Sequence, residues 1–321
     1  MGDSFTVKVA CKTRGAQEVC ILELQRDDGG VLPSYTPGAH IDVHLPNGLV
    51  RQYSLARFRK DPASYQIAVL REPDSRGGSL AVHESLNLGD TLQISAPRNL
   101  FPLAADAEQA LLLAGGIGIT PILCMADYLA SEGRVFQLHY CGRSVERMAF
   151  LSELQDAGFS ESVFIHTDDG PAEQRPAIED WLRRASSGCH VYVCGPSGFI
   201  DAVIGATDRL GWSPDRVHLE RFSNADSTLR AADGSFEVQL ASSGRVIQVG
   251  AEESVAHALA RHGVVIDMSC EQGICGTCLT GVLEGLPEHR DVYLSDDEKA
   301  ANTQFTPCCS RSRSNRLVLD L

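Results

Sequence analysis

The chain has 321 residues, 43% of them hydrophobic and 22% charged, which is the balance of a folded protein long enough for two or three domains. Its formal net charge of -14 argues against nucleic acid or an anionic membrane surface as a partner, though one basic patch can sit on an acidic body. No apolar run approaches the roughly 20 residues of a membrane span, and the first residues begin a strand pattern and lack a signal-peptide core, so a cytoplasmic location is expected.

Residues 1–102 read as β. The segments 5–9, 19–24, 40–45, 65–70 and 91–94 are rich in β-formers or alternate with period two, and Pro37-Gly38, Asn47-Gly48 and Gly89-Asp90 supply turns. Many short antiparallel strands between such turns predict a closed barrel, with one short helix over 79–88. Just after the Asn47-Gly48 turn, Arg51, Gln52, Tyr53 and Ser54 follow one another on an extended segment. An arginine, an aromatic ring and a hydroxyl projecting to alternate sides can meet a flavin through charge, ring contact and a hydrogen bond. An ordinary strand with a solvated arginine fits the tetrapeptide as well. Val69 opens a stretch that leads to Ser75-Arg76-Gly77-Gly78-Ser79-Leu80. Gly77, Gly78 and Ser79 stand at a helix start, where backbone N–H groups can form a phosphate nest or simply a capped turn.

From residue 103 to 225 the period changes. The apolar run 110–114 suits a strand buried on both faces. It enters Gly115-Gly116-Ile117-Gly118-Ile119-Thr120-Pro121, and Pro121 opens a helix to residue 130. Strands over 135–140, 162–166, 190–194 and 217–220 alternate with helices over 148–157, 177–185 and 198–210, which predicts a parallel sheet covered on both sides. The glycine turn, between a buried strand and a helix, is where a dinucleotide pyrophosphate meets backbone N–H groups and the positive end of a helix. It departs from the Gly-x-Gly-x-x-Gly form, so a tight turn without a ligand stays open. Cys194-Gly195-Pro196 ends a second strand on the same rim, and a buried core thiol is the plain alternative for Cys194. Arg143 follows another strand, as an adenosine contact or a solvated charge, and its presence keeps NADPH open.

Residues 226–234 form a polar linker, and 226–321 a compact third unit with a hairpin over 236–249 about Ser243-Gly244, a helix over 255–262 capped by Ser254, and a closing strand over 316–321. Cys270, Cys275 and Cys278 fall within nine residues, and Cys308 follows thirty positions later. This is the plant-type ferredoxin spacing, in which four thiolates hold a 2Fe-2S cluster. Gly273 and Gly276 permit the close backbone approach that such a loop needs. Cys308 and Cys309 are adjacent, and the spacing favours Cys308. A structural zinc site is the alternative, but zinc ordinarily uses two close cysteine pairs, not three plus one. The six remaining cysteines, Cys11, Cys20, Cys124, Cys141, Cys189 and Cys194, sit in apolar segments as small hydrophobes.

In this order, Arg51 to Ser54, Gly77 to Ser79, Gly115 to Pro121, Cys194-Gly195-Pro196, Glu220-Arg221-Phe222 and the four cysteines resemble the phthalate dioxygenase reductase family over nearly the whole chain. Members are similar to ferredoxin-NADP reductases in their first two domains and to plant ferredoxins in the last. The resemblance implies an antiparallel flavin-binding β-barrel (1–102), an α/β parallel-sheet NAD-binding domain (103–225) and an α+β ferredoxin-like β-grasp domain (226–321). By the resemblance, Arg51, Gln52, Tyr53, Ser54 and Val69 border the flavin, and Gly77, Gly78 and Ser79 hold the phosphate of FMN. On the same resemblance FMN is preferred to FAD, because the family's short loop binds one phosphate, although the residues alone do not separate the two. The resemblance also implies that Gly115, Gly116, Gly118 and Thr120 take the NADH diphosphate and ribose, that Cys194 and Gly195 lie beside the nicotinamide and that Phe222 covers the opposite ring face, while Arg143 stays a candidate for the adenosine ribose.

NADH donates two electrons as a hydride and the cluster accepts one at a time, so a flavin is the physical bridge between them. No amino-acid general base is required. The expected acceptor is a Rieske-type oxygenase that oxidises or demethylates an aromatic or related small substrate, and a monomer is expected. Two other classes stay in view: a direct NAD(P)H reductase of a small-molecule acceptor, and a non-enzymatic electron carrier or redox sensor. Asp296-Asp297-Glu298 reads as a solvated loop, and His289 is not expected as a metal ligand, because four thiolates complete the site.

Overall fold

The computed structural model describes residues 4–73, 75–171, 174–224 and 233–321. Of the expected linker, residues 226–232 lie outside the described residues. The chain forms two compact units, Met1–Phe222 and Ser223–Leu321.

The first unit opens with β1 (Ser4–Ala16), β2 (Val19–Arg26), β3 (Ala39–His44), β4 (Val50–Ser54), β5 (Ser64–Leu70), β6 (Thr91–Ser95) and β7 (Arg98–Asn99). They pair in the order β4-β3-β6-β1-β2-β5, with β7 on β3. Its paired strands run antiparallel throughout. Just past β4, the Ala56 N–H donates to Gln66 O in β5 at 2.8 Å and brings the two ends of the path together as a barrel. Alternation drives the closure: Ile41 and Val43 on β3 join Val7, Leu22, Leu24 and Ile67 in one buried core. The short helix expected over 79–88 is one α-turn, α1 (Gly78–Leu80), continued by a π-turn over Ala81–Ser85. Its carbonyls are taken up by Lys12, whose amine donates to Val82 O, His83 O and Leu86 O at 2.9, 2.9 and 2.6 Å.

The same unit continues with β8 (Gln109–Gly115), α2 (Ile119–Ser131), β9 (Val135–Gly142), α3 (Leu151–Gln155), β10 (Val163–Thr167), α4 (Ile178–Arg184), β11 (Cys189–Cys194), α5 (Ser197–Arg209) and β12 (Val217–Glu220). The sheet order is β10-β9-β8-β11-β12, all parallel. The central strands carry apolar side chains on both faces. Leu112, Ala114 and Tyr192 pack with α2, while Leu111, Leu113, Val191 and Val193 pack with α4 and α5. The chain winds outward from β8 in one direction and from β11 in the other. The crevice at the carboxyl ends of β8 and β11 is therefore the topological switch point, where open α/β sheets bind ligands. The Arg57 guanidinium pairs with Asp127 on α2 at 2.6 Å, and Phe58 N–H joins it at 3.2 Å, tying the barrel to this helix.

The second unit contains β13 (Phe236–Leu240), β14 (Val246–Val249), α6 (Val255–Arg261), β15 (Thr280–Glu284), β16 (Pro287–Glu288), α7 (Asp296–Ala301), β17 (Gln304–Phe305), β18 (Arg311–Ser312) and β19 (Arg316–Leu319). Its sheet runs β14-β13-β19-β15-β17, with β13 and β19 parallel. Val255, Ala258 and Leu259 of α6 close one face of that sheet, as in a β-grasp fold. The acidic stretch 296–298, expected as a loop, is the first turn of α7.

Candidate functional site

β4 sorts its four singled-out residues by pleat. Gln52 and Ser54 stand opposite Asp42 and His40, whereas Arg51 and Tyr53 stand opposite Val43 and Ile41. The Gln52 amide donates to Asp42 Oδ1 at 3.1 Å and lies 3.2 Å from the His40 ring, and Arg98 closes this polar ladder on Asp42 at 2.7 Å. Gln52 thus braces the strand, away from the Arg51 face. The stem of Arg51 lies against Gly78, where a Cβ would come 2.8 Å from Arg51 Cγ and 2.9 Å from Nε. Gly77 adopts φ +93°, and its carbonyl accepts from Asn47 Nδ2 at 3.1 Å. Ser79 Oγ accepts from the Glu72 N–H at 3.1 Å and bonds Ser75 Oγ at 3.0 Å. The structure therefore brings Arg51, Gly77, Gly78 and Ser79 into one cradle. Tyr53 is half-buried, and burial pushes its phenol above the ordinary range. Val69 is set apart from that cradle: its side chain is in the barrel core, and its carbonyl accepts from His83 Nε2 at 2.9 Å.

The two turns at the switch point touch through backbone. A Cβ on Gly118 would lie 2.3 Å from Cys194 O, and one on Gly195 would lie 2.9 Å from Gly115 Cα. Only glycine lets α2 start this close to the end of β11. Gly116 has φ +54° and open space around it, and the buried Thr120 hydroxyl donates to Ile117 O at 3.1 Å. Cys194 is fully buried, and burial together with the neighbouring Glu220 pushes its thiol well above the ordinary range, which leaves it an uncharged packing group. Arg143 is exposed just past β9 on the same rim, and Phe222 is exposed two residues beyond β12.

Glu220 ties these parts together. It pairs in register with Cys194 across β11 and β12, and its Oε2 accepts from Ser54 Oγ of the barrel at 3.2 Å. Burial of this half-buried residue pushes its carboxyl up to about 8, partly opposed by the Ser54 hydroxyl. Sequence reasoning held Glu220 only as part of a motif. Its position as the last residue of the last parallel strand is the signal that marks it.

In the second unit, Cys270, Cys278 and Cys308 are buried and Cys275 is half-buried. Hydrogen bonds from Cys275 and Cys308 hold the Cys270 thiol well below its ordinary range, and one from Cys308 lowers Cys278. Gly273 and Gly276, at φ +68° and +70°, let the loop wrap inward, and a Cβ on Gly273 would come 2.5 Å from Cys309 Sγ. Cys309 is enclosed by Thr306 and Ser310, at 3.3 and 3.9 Å from its sulfur, so it packs beneath the loop while Cys308 joins the other thiols. The donor set, the glycine cradle and the backbone N–H groups of Gln272 and Ile274 aimed at Cys270 Sγ at 3.4 Å fit an iron-sulfur cluster. Among the described residues no group of three or more His, Cys, Asp or Glu is arranged about one metal ion. A two-iron cluster divides its four ligands between two metals. His289 is half-buried, with its Nδ1 3.6 Å from Asp291 Oδ1.

Two family models match the chain: an oxidoreductase NAD-binding domain over residues 112–204 and a 2Fe-2S iron-sulfur cluster binding domain over residues 238–313. The chain is 52% identical over 306 residues to the vanillate O-demethylase oxidoreductase of Pseudomonas sp. (strain HR199 / DSM 7063), covering 95% of this chain and 96% of that one. It is 40% identical over 325 residues to the phthalate 4,5-dioxygenase oxygenase reductase subunit of Pseudomonas putida, covering 100% and 98%. Among solved structures, phthalate dioxygenase reductase, described as a modular structure for electron transfer from pyridine nucleotides to 2Fe-2S, matches with a TM-score of 0.81 at 38% identity, covering 99% of this chain and 98% of that one. With identity and coverage this high, the chain belongs to the phthalate dioxygenase reductase family, alongside the vanillate O-demethylase oxidoreductases.

Proposed function

We propose that the chain is an NADH-dependent flavin and iron-sulfur reductase that supplies electrons to a Rieske-type oxygenase, which dioxygenates or demethylates an aromatic or related small substrate. One observation carries the reading. The Ser54–Glu220 hydrogen bond joins the Arg51–Ser54 strand to the switch-point crevice of Cys194 and Gly118, inside the same unit. A flavin ring and a nicotinamide must meet face to face, and this is where the two candidate segments converge.

The bound flavin supplies hydride acceptance and single-electron release, and the cluster supplies one-electron carriage. The rest is positioning by the protein. Arg51 neutralises a phosphate seated on the backbone of Gly77, Gly78 and Ser79, and the family resemblance is what favours FMN over FAD. Tyr53 and Ser54 border the ring, Gln52 stiffens their strand, Val69 backs it from the barrel, and Phe222 covers the far face. Gly115, Gly116, Gly118 and Thr120 receive the diphosphate at the start of α2, Arg143 the adenosine ribose, and Cys194 with Gly195 orients the nicotinamide. Cys270, Cys275, Cys278 and Cys308 are the cluster ligands. We divide the chain into a barrel domain to residue 102, a nucleotide domain over 103–225 and a ferredoxin domain over 226–321, and place it in the cytoplasm. Among the described residues no helix is long and apolar enough to cross a membrane.

Anaerobic mixing with NADH tests the proposal. Flavin bleaching followed by cluster reduction is expected, and a cluster that stays oxidised beside reduced flavin overturns the internal route. Released FAD at full occupancy overturns the FMN assignment.

A further inference from the structure

Asn224, two residues beyond Phe222, is buried and donates three hydrogen bonds. Its backbone N–H donates to Gln272 Oε1 at 3.1 Å, and its side-chain amide donates to Gln272 O at 3.0 Å and to Arg290 O at 2.7 Å. Gln272 lies between Cys270 and Cys275, and its own N–H donates to Cys270 Sγ at 3.4 Å. Asn224 therefore grips, by side chain and by carbonyl, the residue that aims a donor at a sulfur. The preceding residue, Glu271, has φ +55°, a conformation that a non-glycine residue keeps only when its surroundings enforce it. Arg290 anchors the far end of the same stretch: its guanidinium binds Asp233 at 2.7 and 2.8 Å, while its carbonyl accepts from Asn224.

We propose that Asn224 is a positioning residue for the iron-sulfur centre, holding Gln272 so that its N–H points at the Cys270 sulfur and favours the reduced cluster. Reduction adds one negative charge, and donors directed at ligand sulfurs stabilise that charge and raise the potential. The inference rests on Cys270 being a cluster ligand, a reading that iron and labile-sulfide analysis of the unaltered protein tests separately.

The test uses the full-length holoprotein carrying Asn224→Leu, which keeps the side-chain size and removes both amide donors. Redox titration followed by visible and EPR spectra is expected to show reduction disfavoured about tenfold, equivalent to about 59 mV more negative for a one-electron couple, with a changed EPR line shape. Asn224→Ser, which retains one donor, is expected to shift the same way by less. An iron-loaded Asn224→Leu protein with the parent potential and line shape overturns the proposal, even if its thermal midpoint falls, because that outcome marks a purely structural role. Should Asn224→Leu emerge without iron, Asn224→Ser decides, and an unchanged potential there overturns the proposal equally.

Discussion

At Gly118 a single hydrogen in place of a methyl decides whether the two turns of the switch point can meet. The atoms a Cβ would strike are Cys194 O at 2.3 Å, Cys194 C at 2.4 Å and Gly195 N at 2.7 Å, all of them backbone. Gly118→Ala must push α2 away from β11, an overpacking cost of about 1–3 kcal/mol. Stopped-flow reduction of the flavin by NADH is expected to slow about tenfold or more, because a displaced nucleotide turn spoils the geometry in which the two rings meet, with iron content unchanged. Parent kinetics in that variant would mean the crevice does not hold the nicotinamide. Gly116→Ala is the milder comparison, since its Cβ would meet open space and only φ +54° is strained. Glu220 gives a pH signature. Its carboxyl is raised from 4.5 to about 8. Between those values the folded chain keeps a proton that the unfolded chain has lost, so stability present below the unfolded pKa is lost as pH rises toward the folded one. Burial also pushes the imidazoles of His139, His166 and His218 in this unit below their ordinary range, which favours the folded chain as pH rises toward about 6.5, so the Glu220 contribution is read against a variant. The thermal midpoint of the parent relative to Glu220→Gln is expected to fall as pH rises from about 5 to about 8, gently because solvent reaches this half-buried residue, and a difference that does not change with pH would put no such shift at Glu220.

Elements were legible where periodicity and burial agree. The apolar strands β8 and β11 and the helix α5 all stand within a residue or two of expectation, because parallel strands buried on both faces and amphipathic helices write themselves into composition, and β3 is found as closely although its polar His40 and Asp42 are buried too. The Ser254 cap was legible for the same local reason: its Oγ accepts from the His257 N–H at 3.2 Å. Ser254→Ala is expected to lower the stability of the Ser223–Leu321 unit by about 1 kcal/mol, readable as a lower thermal midpoint of that unit, with no change in NADH-driven flavin reduction. Three elements resisted reading. The capping-box spacing Ser295 to Glu298 is present, yet α7 buries no residue, so no apolar stripe announced it. The helix expected over 148–157 shrinks to Leu151–Gln155 because Phe150 takes φ +64°, a conformation that composition does not foretell for phenylalanine. The turn after Gly77 becomes a π-turn because Lys12, some seventy residues earlier, satisfies its carbonyls. Among the candidate site residues, the thiol set and the glycine turns were legible from spacing. Glu220 and Asn224 were not, since each acts through partners far away in the chain.

At the scale of the molecule, two compact units carry unequal means of holding themselves together. The Met1–Phe222 unit builds extensive apolar cores from two sheets, whereas the Ser223–Leu321 unit has one small core and a separate knot around Cys278, Cys308 and Cys309. The cysteine loop contributes little apolar burial of its own, and a cluster bound only by the folded form adds its binding free energy to folding. Stripping iron anaerobically with a chelator should therefore act on one unit alone. Calorimetry of the holoprotein is expected to resolve two transitions, with iron removal lowering the one that belongs to residues 223–321 and leaving the other in place. Flavin reduction by NADH should survive the treatment, since Ser54, Glu220, Cys194 and Gly118 all lie in the unaffected unit. If both transitions drop together, or if hydride transfer disappears with the iron, the cluster supports more of the fold than its own unit, and the division at residue 222 does not describe how this chain unfolds.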